Sequence, residues 1–171
     1  MNVMHGQPFA VRALSSAESD LEIGRCLVRE YVEATAAEMA GVGEEPDLDL
    51  ILPYIPDYHD FAAKYAARGA VFLVAESVEA VAGGVGISPY EDKTCEMNRL
   101  WVRPEQQGRG AGRALAVDSL VHARALGYRR MVLDVLPSRN RPIALYRSLG
   151  FTDTAPVHEY SFEMVSLTLD L

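Results

Sequence analysis

The stretch from Leu100 to Leu115, LWVRPEQQGRGAGRAL, constrains this chain more than any other. A short apolar run, Leu100-Trp101-Val102, leads into a turn carrying Gly108, Gly110 and Gly112, and a helical pattern then continues to Leu126, stopped by Gly127. Glycines so closely spaced admit positive φ and let a ligand approach the backbone. The helix that follows turns its unpaired N–H groups and the positive end of its dipole toward the turn. Strand, glycine turn and helix in that order make a phosphate-binding device. Arg103, Arg109 and Arg113 add positive charge around it in a chain whose formal net charge is −8.

Three glycine-loop patterns compete for this turn. A P-loop needs Gly-x-x-x-x-Gly-Lys followed by Ser or Thr, and no such stretch exists. A dinucleotide fingerprint needs Gly-x-Gly-x-x-Gly, yet counting from Gly108 the third glycine falls on Arg113, and counting from Gly110 on Leu115. The pattern Gln/Arg-x-x-Gly-x-Gly/Ala is satisfied by Gln107, Gly110 and Gly112. The strand Glu96 to Val102 precedes it, and farther along Ala144-Leu145-Tyr146-Arg147-Ser148-Leu149-Gly150-Phe151 reads as a helix that bears a tyrosine and ends at Gly-Phe.

With these two signatures in this order, the chain resembles the GNAT superfamily of N-acetyltransferases, most strongly over residues 70 to 155. The resemblance implies an α/β, single-domain GNAT fold over residues 1–171. Such a fold has a mixed central β-sheet of about six to seven strands flanked by helices on both faces, splayed between two central parallel strands. It implies acetyl transfer from acetyl-coenzyme A to a primary amine, by direct attack in a ternary complex. It places the pyrophosphate on Gln107, Gly108, Arg109, Gly110, Ala111, Gly112 and Arg113, and the pantetheine arm along the backbone of Leu100, Trp101 and Val102. Tyr146 matches the tyrosine that protonates the departing thiolate, and a phenol is an O–H donor suited to that task. Glu96 matches the strand position of the catalytic glutamate in histone-type members. Strand alternation puts Glu96 on one side with Asn98, Leu100 and Val102, and Trp101 on the other. The family often carries a pantetheine-binding asparagine seven residues before the tyrosine; Arg139 stands there, with Asn140 one residue late as the substitute cofactor contact and Arg139 or Arg141 as further phosphate candidates. Two alternatives stay open: a coenzyme A-binding sensor without turnover, and an acyltransferase with another acyl chain or acceptor.

An acidic chain is a poor general nucleic-acid binder, and suits a cationic small-molecule or peptide amine. Glu33, Glu38, Glu44, Glu45, Asp47 and Asp49, in the segment where acceptors are shaped, are candidates for drawing one in, and Asn98 and Arg99 are further acceptor-side candidates. Cys26 and Cys95 form no disulfide framework, so a reduced, cytoplasmic setting is the default. The N-terminus MNVMHGQPFA lacks a leader's charged and apolar regions, and no stretch reaches the ~18 apolar residues of a membrane span. No membrane partner, and a monomer or homodimer, are therefore expected. His5, His59, His122 and His158 share no ligand spacing, so no metal is expected, and Asp134 reads as structural.

The remaining pattern predicts strands at Phe9–Leu14, Ala70–Glu76, Val81–Ile87, Thr94–Val102 and Arg130–Leu136, and a last strand over Tyr160–Leu171 whose apolar face switches between Met164 and Val165. Helices are predicted from Ser15 or Ser16 as cap to about Met39, around Pro56–Arg68, over Gly110–Leu126, and from Pro142 to Leu149. Pro89–Lys93 reads as a turn, and Gly83, Gly84 and Gly86 mark a bulge or close packing within a strand.

Overall fold

A computed structural model describes residues 8–171. The N-terminal segment read for a leader, and His5, fall largely or wholly outside them. Seven strands form one mixed sheet in the order β1-β2-β3-β4-β5-β7-β6. They are β1 (Ala10–Ala13), β2 (Val71–Glu76), β3 (Val81–Glu91), β4 (Thr94–Val102), β5 (Arg130–Val135), β6 (Thr152–Asp153) and β7 (Val165–Asp170). The helices are α1 (Glu18–Ala40), α2 (Phe61–Ala66), α3 (Ala111–Ala125) and α4 (Asn140–Ser148). Every pairing is antiparallel except β4 with β5.

Alternating side chains divide the interior between the two faces. In β2, Leu73 and Ala75 pack with Leu115, Ala116 and Ala123 of α3, while Phe72 and Val74 pack with Leu27, Val28 and Val32 of α1 and Phe61 of α2. A two-sided burial of this kind explains the continuous apolar run of β2.

The parallel pair creates the site. Thr94, Cys95 and Glu96 of β4 pair with Arg130, Met131 and Val132 of β5, and there the pairing stops. Beyond Glu96 the strands diverge, which leaves β4 from Met97 to Val102 without a strand partner on that side. A register shift opposite Gly84–Gly86 adds a residue to β4, and Arg99 takes φ +57°. This bulge overturns the expected alternation. Asn98 bonds toward α2 and Arg99 toward the segment before it, but Leu100 and Val102 turn to the α3 face and Trp101 to the α1 face. Glu96 and Asn98 therefore do not share a side with Leu100 and Val102. The glycines of β3 mark this region as expected: a Cβ on Gly86 would fall 2.3 Å from the Tyr65 hydroxyl and 2.5 Å from Asn98 Oδ1.

Other boundaries moved for local reasons. The α1 N-cap is Ala17, without a side-chain cap. Instead Asp20 accepts bonds from Ser15 N at 2.7 Å and Ser15 Oγ at 2.8 Å. Strand β3 runs on to Glu91, because the neighbouring β2 ends opposite Ile87 and Pro89 has no ladder bond to lose on that side. Pro56–Tyr58 is a separate 3₁₀ turn, and Asp60 caps α2 by accepting from Ala63 N at 3.0 Å. The last strand begins at Val165 rather than Tyr160. The apolar residues before it stack on an aromatic cluster, with Tyr160 4.7 Å and Phe162 5.8 Å from the Tyr54 ring. The face switch between Met164 and Val165 is where strand replaces irregular backbone.

Candidate active site

The glycine turn folds as a cradle. Gly108 and Gly110 take φ +75° and +95°, and Gly110 is the left-handed N-cap of α3. A side chain there would be strained. Gln107 Nε2 donates to Val102 O at 3.0 Å and so ties the turn back to the strand end. The first N–H groups of α3 have no helical partner and face a cleft of about 420 Å³. Leu100, Trp101, Val102, Gln107, Gly108, Gly110, Ala111, Gly112 and Arg113 all line it, joined by Glu38, Gln106, Arg139, Arg141, Pro142 and Leu145.

Three residues expected against the cofactor do not line this cleft: Tyr146 lies in the adjoining cavity, and Arg109 and Asn140 turn elsewhere. The Arg109 guanidinium donates to Gln106 Oε1 at 2.8 Å and lies 5.8 Å from the Phe9 ring, and Asn140 is exposed in the first turn of α4. Asn140 does not cap α4 either, since Arg139 is the N-cap. Arg103 also turns away, bonding Glu30 at 2.8 Å and Val81 O at 3.0 Å. Positive charge at the cleft comes instead from Arg113, Arg139 and Arg141.

The cleft continues into the fork between β4 and β5. A small cavity of about 30 Å³ shares Leu100, Arg139 and Pro142 with it, and contains Tyr146 and Tyr31. That cavity in turn shares Tyr31, Met97, Asn98, Arg99 and Asp134 with a third space of about 50 Å³, which Glu96 lines together with Tyr54, Tyr160 and Phe162. Cleft, middle cavity and far cavity thus follow one another through the sheet. Tyr146, from α4 on one face, and Tyr31, from α1 on the other, meet only because the strands have parted there.

Burial raises the Tyr146 phenol well above its ordinary value, so it stays protonated. Across the fork, Glu96 Oε2 lies 3.0 Å from His158 Nε2, and this bond raises the imidazole above its usual value. Burial raises Asp134, whose Oδ1 accepts from Ser166 Oγ while its Oδ2 has no partner. Tyr160 is raised by burial and then by Asp134.

A buried ionic network frames the far cavity. Asp57, with a fully buried carboxylate, accepts from Arg99 at 2.9 Å and from Lys64 at 3.3 Å. Burial works to raise Asp57, but the charges of Arg99 and Lys64 outweigh it and hold the carboxylate below its ordinary range. Arg99 also donates to Tyr54 O at 3.1 Å, and the Tyr65 hydroxyl lies 2.9 Å from Asn98 Oδ1. The acidic segment read as a draw for cations is partly engaged elsewhere: Glu38 bonds Arg139 at 2.9 Å, and Asp47 caps a 3₁₀ turn by accepting from Asp49 N. The cavity's own carboxylates are Glu96 and Asp134. His158, Tyr160 and Asp57 carried no local pattern that could have marked them, and Asp134 looked structural on its strand.

The sequence model of the acetyltransferase (GNAT) family matches residues 27–151. The chain belongs to the GNAT acetyltransferase family. Among its relatives, an uncharacterised N-acetyltransferase of Schizosaccharomyces pombe is 32% identical over 141 residues, covering 81% of this chain and 80% of that protein. Human N-acetyltransferase 8 is 38% identical over 104 residues, which span 57% of this chain but only 46% of that protein. Of solved structures, a Salmonella typhimurium acetyltransferase with its cofactor acetyl-CoA superposes with TM-score 0.67 at 24% identity, over 95% of this chain and 94% of that one. The Thermoplasma acidophilum PaiA N-acetyltransferase in complex with coenzyme A gives 0.72 at 17% identity, over 95% and 99%. The forked sheet is thus the GNAT fold, and this GNAT protein is an enzyme, an acetyltransferase. Among the described residues no three or more His, Cys, Asp or Glu side chains cluster as metal ligands would, and no helix is long and apolar enough to cross a membrane.

Proposed function

We propose that the protein transfers an acetyl group from acetyl-coenzyme A to a small primary amine by direct attack in a ternary complex. The observation that carries this reading is the run of three connected spaces, from the glycine turn through the fork to Glu96. The pyrophosphate sits against Gly108, Gly110 and the first N–H groups of α3, where the dipole and the free donors favour an anion. The pantetheine amides bond the unpaired edge of β4, whose buried N–H and C=O groups need partners. The reacting carbonyl lies in the fork beside Tyr146. An alkylamine is protonated at neutral pH, so attack requires a base, and Glu96 takes that role at the far cavity. The buried phenol of Tyr146 protonates the departing thiolate.

The test is release of free coenzyme A from acetyl-coenzyme A by the purified protein, measured against a panel of small primary amines. Amine-dependent release with a matching acetylated product is expected. Tight cofactor binding with no amine-dependent release would favour a sensor instead.

A further inference from the structure

We infer that His158 is the proton exit of the acceptor site: a positioning residue that holds Glu96 toward the far cavity and passes its proton to solvent. This rests on the transferase reading and deepens it.

Proton balance requires such an exit. An ammonium acceptor carries three N–H protons and the amide product one, so two protons leave the nitrogen. One accompanies the thiolate as the C–S bond breaks and the C–N bond forms. The other must leave before attack and reach water. Glu96 lines the far cavity with 14% of its side chain exposed, whereas His158 is 41% exposed on the outer side of the same hydrogen bond. The pair therefore bridges the cavity and the solvent. The imidazole is held from both sides, edge-on to Tyr90 at 5.8 Å and to Tyr160 at 6.0 Å between ring centres. Tyr90 Oη donates to Val157 O at 2.9 Å, which pins the backbone just before His158.

The charges around the pair are few. Asp134 on β5 reinforces the imidazolium, while Arg99 on β4 opposes it. Lys64 and Tyr65 of α2 and Tyr160 lie within the field of Glu96. Asp57 pairs with both Arg99 and Lys64 and offsets one of their two charges. When His158 is charged, the ion pair cannot accept a further proton from an ammonium. The pair is competent only with the imidazole neutral, so the bond that raises His158 also sets where activity begins.

The experiment compares wild type with His158→Gln, using acetyl-coenzyme A and propylamine, with His158 also titrated by NMR in wild type and Glu96→Gln. The wild-type acid limb of kcat/KM should coincide with the His158 titration, above its ordinary value of about 6.5. In His158→Gln the limb should move down by about one pH unit or more, with a plateau about tenfold lower that added imidazole restores. Glu96→Gln should lower the His158 titration. An unchanged limb and plateau in His158→Gln, with acetyl-coenzyme A binding intact, would overturn the relay alone. Absence of acetyl-coenzyme A binding by wild type would overturn the transferase reading and the relay with it.

Discussion

The two ends of the active-site passage are built in different ways. The cofactor end is made of backbone: a glycine turn, the start of α3 and the unpaired edge of β4, contiguous in sequence from Leu100 to Arg113. The acceptor end is made of side chains: Tyr31, Tyr54, Glu96, Asp134 and Tyr160 line it, while Asp57 and His158 buttress it through Arg99 and Glu96. A backbone cradle depends on few side chains and suits a ligand that does not change. A wall of side chains drawn from distant segments can be reshaped without touching the cradle. The two ends should therefore respond separately to substitution.

The largest expected separation follows from Asp57→Ala. It leaves the Arg99 guanidinium buried without its partner, and breaking such a pair costs about 3–5 kcal/mol. Thermal unfolding should show that loss, and acetyl-coenzyme A affinity of the protein that remains folded should be close to wild type. A large loss of cofactor affinity would show that the two ends are one cooperative unit. Because the folded carboxylate is held low, its contribution is present above about pH 3.9 and is lost as pH falls through the folded value. The acid stability of wild type and Asp57→Ala should accordingly converge at low pH.

Next comes Tyr146→Phe, at the junction of the two ends. General acid catalysis is worth roughly 10²–10⁴-fold, so kcat should fall at least about tenfold with little change in cofactor dissociation constant. Near-normal kcat would remove the phenol from the chemistry.

The smallest effect belongs to the Glu96–His158 bond. A raised folded value for His158 means that its contribution is present below about pH 6.5 and fades as pH rises through the folded value. The pair is partly exposed and screened by solvent, so Glu96→Gln should lower stability by no more than about 1 kcal/mol at pH 6, and by less at pH 9. The opposite pH trend in Tm would show that the imidazole is not tied to this carboxylate.

The same contrast decides what could be seen in the sequence. The turn, the strand before it and the helix after it were legible because their geometry is local: Gly110 is needed where φ is +95°. Residues on β4 were legible only as far as the strand is regular. The bulge at Arg99 reverses the faces beyond it, and no single residue of β4 announces it. Tyr160 to Met164 alternate like a strand, but their apolar side chains serve the stack on Tyr54. Glu96 and His158 lie 62 positions apart, and Arg99 and Asp57 42. Such pairs exist only once the sheet has formed, so periodicity could not predict them. Arg109 lies inside the glycine motif and Asn140 one residue off the expected asparagine, yet their side chains turn elsewhere.

The most direct test is calorimetric titration of acetyl-coenzyme A into wild type and Gly110→Asp. Aspartate at this left-handed N-cap adds backbone strain of about 1–2 kcal/mol and sets a negative charge where an anion should sit, opposing a helix-terminus interaction of up to about 1 kcal/mol. Wild type should bind, and the variant should bind at least about fivefold more weakly while keeping its circular dichroism spectrum. Equal affinity in a folded variant would contradict the cradle as the cofactor site, and with it the passage that leads from there to Glu96.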